Sequence, residues 1–145
     1  FAIGGGIFGL LFINALLSGY YMLISKQDPD ANYSYGAWYG FGVWSMMPMV
    51  ISSLGVVALV LTASNNELPI SLFNYASINQ LFLGLELGDS FYNMMESLSI
   101  FSLWSIALVA IGLKCWTNFS FNKALLFAAL PTIIIYSIWT IVIVA

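Results

Sequence analysis

Between Glu96 and Lys114 run seventeen residues without a charge, 97–113, with Phe101-Ser102-Leu103-Trp104 near their start and Gly112-Leu113 at their end. A helix rising ~1.5 Å per residue over such a run covers most of a hydrocarbon core ~30 Å thick, and a lysine at its end snorkels to the lipid headgroups. The stretch is therefore predicted to be a transmembrane helix. On its wheel Ser99, Ser102, Ser105 and Gly112 fall within one half of the circumference, while Ile100, Leu103, Leu108 and Ile111 cover most of the rest. Small side chains let a second helix approach closely. Ser102, Ser105 and Gly112 are thus expected to make a packing or partner contact, with Leu108 towards lipid.

The rest of the chain has the same character. Of its 145 residues 61% are hydrophobic and 6% charged, with three lysines, no arginine and no histidine. That is too little charge to solvate the surface of a water-soluble domain, which carries roughly a quarter charged residues. A net charge of -3 without arginine argues against phosphate or nucleic-acid recognition. The single Cys115 has no partner for an internal disulfide. Because the chain opens on Phe1 rather than Met, further residues ahead of it are expected.

Read in order, residues 1–25 are uncharged and end at Tyr20-Tyr21 before Lys26, an aromatic and lysine anchor for a first span. Gly5 and Gly9 form a small-xxx-small pair that can seat another helix, or else simply loosen the helix start. Asp28-Pro29-Asp30 and Asn32 are turn chemistry. A second span is expected over 36–62, with Trp38, Tyr39 and Trp44 as an aromatic belt and a kink where Pro48 interrupts the hydrogen-bond ladder near Met46-Met47. Residues 69–88 are ambiguous: apolar enough to span, they also carry Asn74, Ser77, Asn79 and Gln80, which are costly in lipid unless they face protein. Spans over 97–116 and 123–145 complete the chain, the last with Pro131 inside it. The fold class is all-α, a single transmembrane domain over 1–145. Five helices are expected if 69–88 crosses; the alternative is four plus a re-entrant segment.

Lysine placement orients the bundle. Lys114 and Lys123 flank a loop with no acid, which the positive-inside rule makes cytoplasmic, so the C-terminus is expected outside. Four helices would bring Lys26 to the same side as the other two lysines; five would put it outside.

Tyr75-Ala76-Ser77, Phe101-Ser102-Leu103-Trp104, Gly112-Leu113-Lys114, Lys123-Ala124 and Pro131, in that order, resemble the C-terminal half of the bacterial branch of the Yip1 family. The likeness covers Asn74 to Pro131 and departs from the family pattern at Asn79, where a proline is common. It implies five transmembrane helices, a cytoplasmic N-terminal segment, an outward C-terminus and residence in the bacterial inner membrane. It also implies a role similar to that of membrane adaptors, some bacterial members accompanying ABC-type exporters.

No chemistry is evident in the residues. Without histidine a Ser-His-Asp arrangement is excluded, no Ser-Lys motif is recognisable, and no ligand set for zinc, haem or an iron-sulfur cluster stands out. No cofactor and no enzymatic activity are expected. Asn79, Gln80 and Glu86 are the candidates for an intramembrane polar site. Interhelical hydrogen bonding explains the first two equally well, and Glu86, two residues before Gly88-Asp89, fits the outer interface. Two sequons, at Asn32 and Asn118, are weak signals. The expected function is a non-catalytic adaptor, scaffold or accessory subunit whose partners are the bilayer and other integral membrane proteins, such as an ABC-type exporter or a larger membrane complex. A small transporter or channel is the alternative, resting on Pro48, Pro131, Asn79, Gln80 and Glu86.

Overall fold

The computed structural model of the chain describes residues 2–64 and 69–145; Phe1, where the first predicted span begins, lies outside the described residues. Among the described residues every regular element is helical. They are α1 (Ala2–Ser25), α2 (Tyr35–Ser45), α3 (Met47–Thr62), a 3-10 turn (Ile70–Asn74), a π turn (Asn79–Leu83), α4 (Tyr92–Ser97), α5 (Ile100–Trp116) and α6 (Phe121–Val144). Among the described residues three stretches are long and apolar enough to cross a membrane, Gly5–Ser25, Tyr35–Thr62 and Phe121–Val144, and Ile100–Trp116 is a shorter apolar helix.

The two prolines act differently on their helices. Pro48 lacks an N–H and its ring crowds the carbonyl four residues back, so α2 stops at Ser45, the Met46 N–H turns back to the Val43 and Trp44 carbonyls, and α3 restarts at Met47. Pro131 sits inside α6 without ending it. Its missing N–H strips the Phe127 carbonyl of its helical donor, and the Tyr20 hydroxyl of α1 donates to that carbonyl at 2.8 Å.

The chain forms two compact units. One holds the residues up to Met46 together with Ala107–Ala128. Here α1 packs along α2. A Cβ on Gly42 would collide with Asn14 Oδ1, and one on Gly112 would collide with the Phe41 ring, so both close approaches depend on glycine. Phe41 belongs to an aromatic cluster with Tyr21, Trp38 and Trp116, in which Trp38 is fully buried and its ring centroid lies 5.1 Å from that of Trp116. The loop after α1 meets the loop before α6: the Asn118 N–H donates to Asp28 Oδ2 at 2.6 Å, and its side-chain amide donates to Asp30 Oδ2 at 3.1 Å.

The other unit holds Met47–Ile106 and Ala129–Ala145. In it residues 69–88 do not make the spanning helix that was one expectation from sequence. At 100° per residue a continuous helix would gather Asn74, Ser77 and Gln80 on one side and set Asn79 on the opposite side, so one or the other would face lipid on any helix covered on a single side. The segment breaks instead into the 3-10 turn and the π turn, the latter closed by Gly84 at φ 62° with its N–H on the Asn79 carbonyl. It is tied down by backbone. The Ile78 N–H donates to the Leu98 carbonyl at 2.7 Å and the Ile100 N–H to the Ala76 carbonyl at 3.0 Å, an isolated antiparallel pairing around Ser77 and Ser99. Tyr75 anchors the start of the segment, its ring lying over Gly55 of α3, where any Cβ would strike it, and its hydroxyl donating to the Ser52 carbonyl at 3.4 Å.

Candidate functional site

Asn79 and Gln80, expected as a polar pair, converge with Ser77 on a residue that looks, in the sequence, like nothing more than a boundary charge. That residue is Glu96. It stands near the end of α4, and its Oε2 accepts from Ser77 Oγ at 3.1 Å, Asn79 Nδ2 at 3.1 Å and Gln80 Nε2 at 3.2 Å. Its Oε1 accepts from Gln80 Nε2 alone, at 3.1 Å. Glu96 is 7% exposed, Asn79 1% and Ser77 0%. Such burial is tolerable because every oxygen of the carboxylate has a donor.

Local chemistry builds the three donors into place. Ser77 Oγ accepts the Gln80 N–H at 3.1 Å, which ties it to the first residues of the π turn. Asn79 Oδ1 accepts the Leu85 N–H at 2.8 Å while its amide also reaches the Leu85 carbonyl at 3.3 Å, so one side chain closes the loop that follows. Asn79 thus does the work of several backbone bonds. Replacing it by alanine would remove these links together with the one to Glu96.

A cleft of about 570 Å³ opens beside this hub, lined by Glu96 and Gln80 with Asn74, Asn93, Tyr92 and Glu86 among others. Glu86 lies outside the hub itself. It is exposed, and its N–H donates to Asp89 Oδ2 at 2.8 Å in the turn that Gly88 completes at φ 120°.

The other residues singled out from the sequence behave individually, and Ser102 is chiefly a cap. Its Oγ accepts the Ser99 N–H at 2.9 Å and Ser99 Oγ accepts the Ser102 N–H at 3.1 Å, a reciprocal arrangement that starts α5. Ser105 is half-buried and its Oγ has no partner among the described residues. Gly112 takes the Phe41 ring, as described above. At Gly5 and Gly9 a Cβ would meet no atom within 4 Å beyond their own helix backbone, so among the described residues no other helix is seated on them.

Two further residues escape notice in the sequence. Asn14, 1% exposed in the middle of α1, donates its amide to the Tyr39 carbonyl at 3.3 Å and turns Oδ1 towards Gly42. Asp28 receives Asn118 in the loop; that N–H holds its carboxyl below the ordinary aspartate range, against the raising effect of burial, with the Asp30 N–H, the Asn118 amide and Lys123 adding to the lowering. The signal for Glu96 is an acid placed after Met94-Met95 with uncompensated amides upstream, and for Asn14 a lone amide in an apolar helix.

Chemically the hub is a polar knot whose Glu96 and Gln80 edge opens on the cleft. The Ser77 hydroxyl is fully buried and already accepts from the Gln80 N–H, so no electrophile can reach it. Among the described residues no group of three or more His, Cys, Asp or Glu side chains is placed to hold a metal ion. The chain is similar over residues 1–142 to the family described as the Yip1 domain. No curated protein and no solved structure matches it.

Proposed function

The chain belongs to the Yip1 family, and from that premise we propose that it is a non-catalytic adaptor or accessory subunit for other integral membrane proteins, an ABC-type exporter among the partners to test. One observation carries this reading. In the first half of α1 Ile7, Phe8, Leu10, Leu11, Phe12 and Ile13 are all exposed, and the glycines between and before them, Gly5 and Gly9, have open space where a side chain would be. A half-span that is largely exposed and carries a small-xxx-small pair is suited to receive a helix of another protein. Elsewhere Ser77, Asn79 and Gln80 are hydrogen-bonded to Glu96, and Asn118 to Asp28, which speaks against a continuous polar conduit.

The proposed topology has four crossings, a bacterial inner-membrane location and the lysine-bearing loops in the cytoplasm, with residues 69–98 re-entering from the outer side. The hydrogen bond between Asp28 and Asn118 supports an even number of crossings in the chain between them. The crossings are 35–62 outward and 100–116 back, so Lys26, Lys114 and Lys123 share one side and the C-terminus lies outside.

Purification in mild detergent, with identification of what accompanies the protein, tests the adaptor reading. The expected result is one stoichiometric membrane protein, retained by the parent and lost in Gly9→Leu while the variant stays folded. Recovery of the protein alone, together with solute movement in liposomes, would establish the transporter instead.

A further inference from the structure

The Glu96 carboxylate is buried, yet every donor that reaches it is neutral: a hydroxyl and two amides. Buried charges in proteins are normally met by an opposite charge. The chain has three basic side chains, Lys26, Lys114 and Lys123, and none lines the cleft onto which Glu96 faces. The distribution of donors is also uneven. Oε2 accepts three hydrogen bonds and Oε1 one, which leaves acceptor capacity on Oε1.

We infer that the cleft beside Glu96 binds a primary ammonium group, its N–H bonds directed to the free acceptor capacity of the carboxylate. Asn74, Asn93 and Tyr92 also line the cleft, and Glu86 adds a second carboxylate to the lining. A volume of about 570 Å³ suits an organic group rather than a bare ion, and among the described residues no metal-ligating cluster is present. A quaternary ammonium has no N–H to give Oε1, so the site distinguishes ethanolamine from choline. The ammonium can belong to the headgroup of phosphatidylethanolamine or to a free amine. The inference does not depend on the adaptor reading, because it concerns a ligand and not a protein partner.

The experiment has two arms. In the first, the protein is held in nanodiscs with equal parts of phosphatidylethanolamine, phosphatidylcholine and phosphatidylglycerol, and native mass spectrometry weighs the lipids it retains. In the second, ethanolamine is titrated against the protein in lipid-free detergent and followed by saturation-transfer NMR. Selective retention of phosphatidylethanolamine assigns the lipid source, while contact with ethanolamine and no lipid preference assigns the free amine; either supports the site. Even retention of all three lipids with no ethanolamine contact overturns it. Glu96→Gln is expected to weaken the binding by roughly 30-fold or more. Because that variant also turns an amide towards the hub donors, Leu87→Trp is the second probe: Leu87 lines the cleft and is 86% exposed, so an indole there fills the cleft from outside the hub. Binding that survives both substitutions unchanged would equally overturn the proposal.

Discussion

The Tyr20 hydroxyl donates to the Phe127 carbonyl at 2.8 Å, and Phe127 is the residue whose carbonyl Pro131 leaves without a helical donor. A side chain on α1 thus completes the hydrogen-bond ladder of α6. Tyr20→Phe is expected to destabilise the protein by about 1–2 kcal/mol in a detergent unfolding assay. The same substitution in a Pro131→Ala background should cost much less, since the alanine N–H supplies the missing donor. Equal losses in both backgrounds would separate Tyr20 from the proline.

Gly112 and Gly9 make opposite predictions. A methyl group on Gly112 meets the Phe41 ring, so Gly112→Ala should lower stability by about 1–3 kcal/mol through overpacking. A methyl group on Gly9 meets nothing, and Gly9→Ala should leave stability unchanged or raise it by up to about 1 kcal/mol through helix propensity. Thermal melts of the two variants in one detergent compare them directly.

The proposed topology puts the two loops joined by the Asp28–Asn118 contact on one side of the membrane. In a Cys115→Ser background, single cysteines at Gln27 and Ser120, both exposed, are expected to behave alike towards a membrane-impermeant maleimide. Both should be protected in intact cells and reactive in inverted vesicles. Labelling of one from each side would restore an odd number of crossings between them.

The same carboxylate makes a pH prediction. Its folded-state pKa lies below the unfolded value of about 3.9, so its contribution is fully present above that value and is lost as pH falls through the folded pKa. Stability in detergent should therefore be insensitive to this group above about pH 5 and decline below about pH 4. Asp28→Asn should be less stable at neutral pH and show a shallower acid decline. An unchanged acid slope would assign that decline to other carboxylates.

The long spans were legible because twenty or so uncharged residues between polar turns have one comfortable conformation in lipid. Pro48 was equally plain, since its effect on α2 and α3 is covalent. The segment around Asn79 was not legible as a shape. Hydropathy counts its leucines, whereas its path is set by where Ser77, Asn79 and Gln80 find an acceptor, and that acceptor lies 16–19 residues away. Glu96 was visible as a charge and misplaced as a boundary, because an acid at the head of an apolar run looks the same whether it faces water or amides. The serine face of α5 divides for a similar reason: spacing alone does not tell a helix cap, Ser102, from a packing position, Gly112.

The distance in sequence between the hub amides and Glu96 also sets an order of events during synthesis. Ser77, Asn79 and Gln80 leave the ribosome before the carboxylate that receives them, and the Ala76 carbonyl leaves well before the Ile100 N–H that pairs with it. Every partner that residues 76–85 require has emerged once Ile100 has been made, so the hub can close before the rest of α5 and all of α6 follow it.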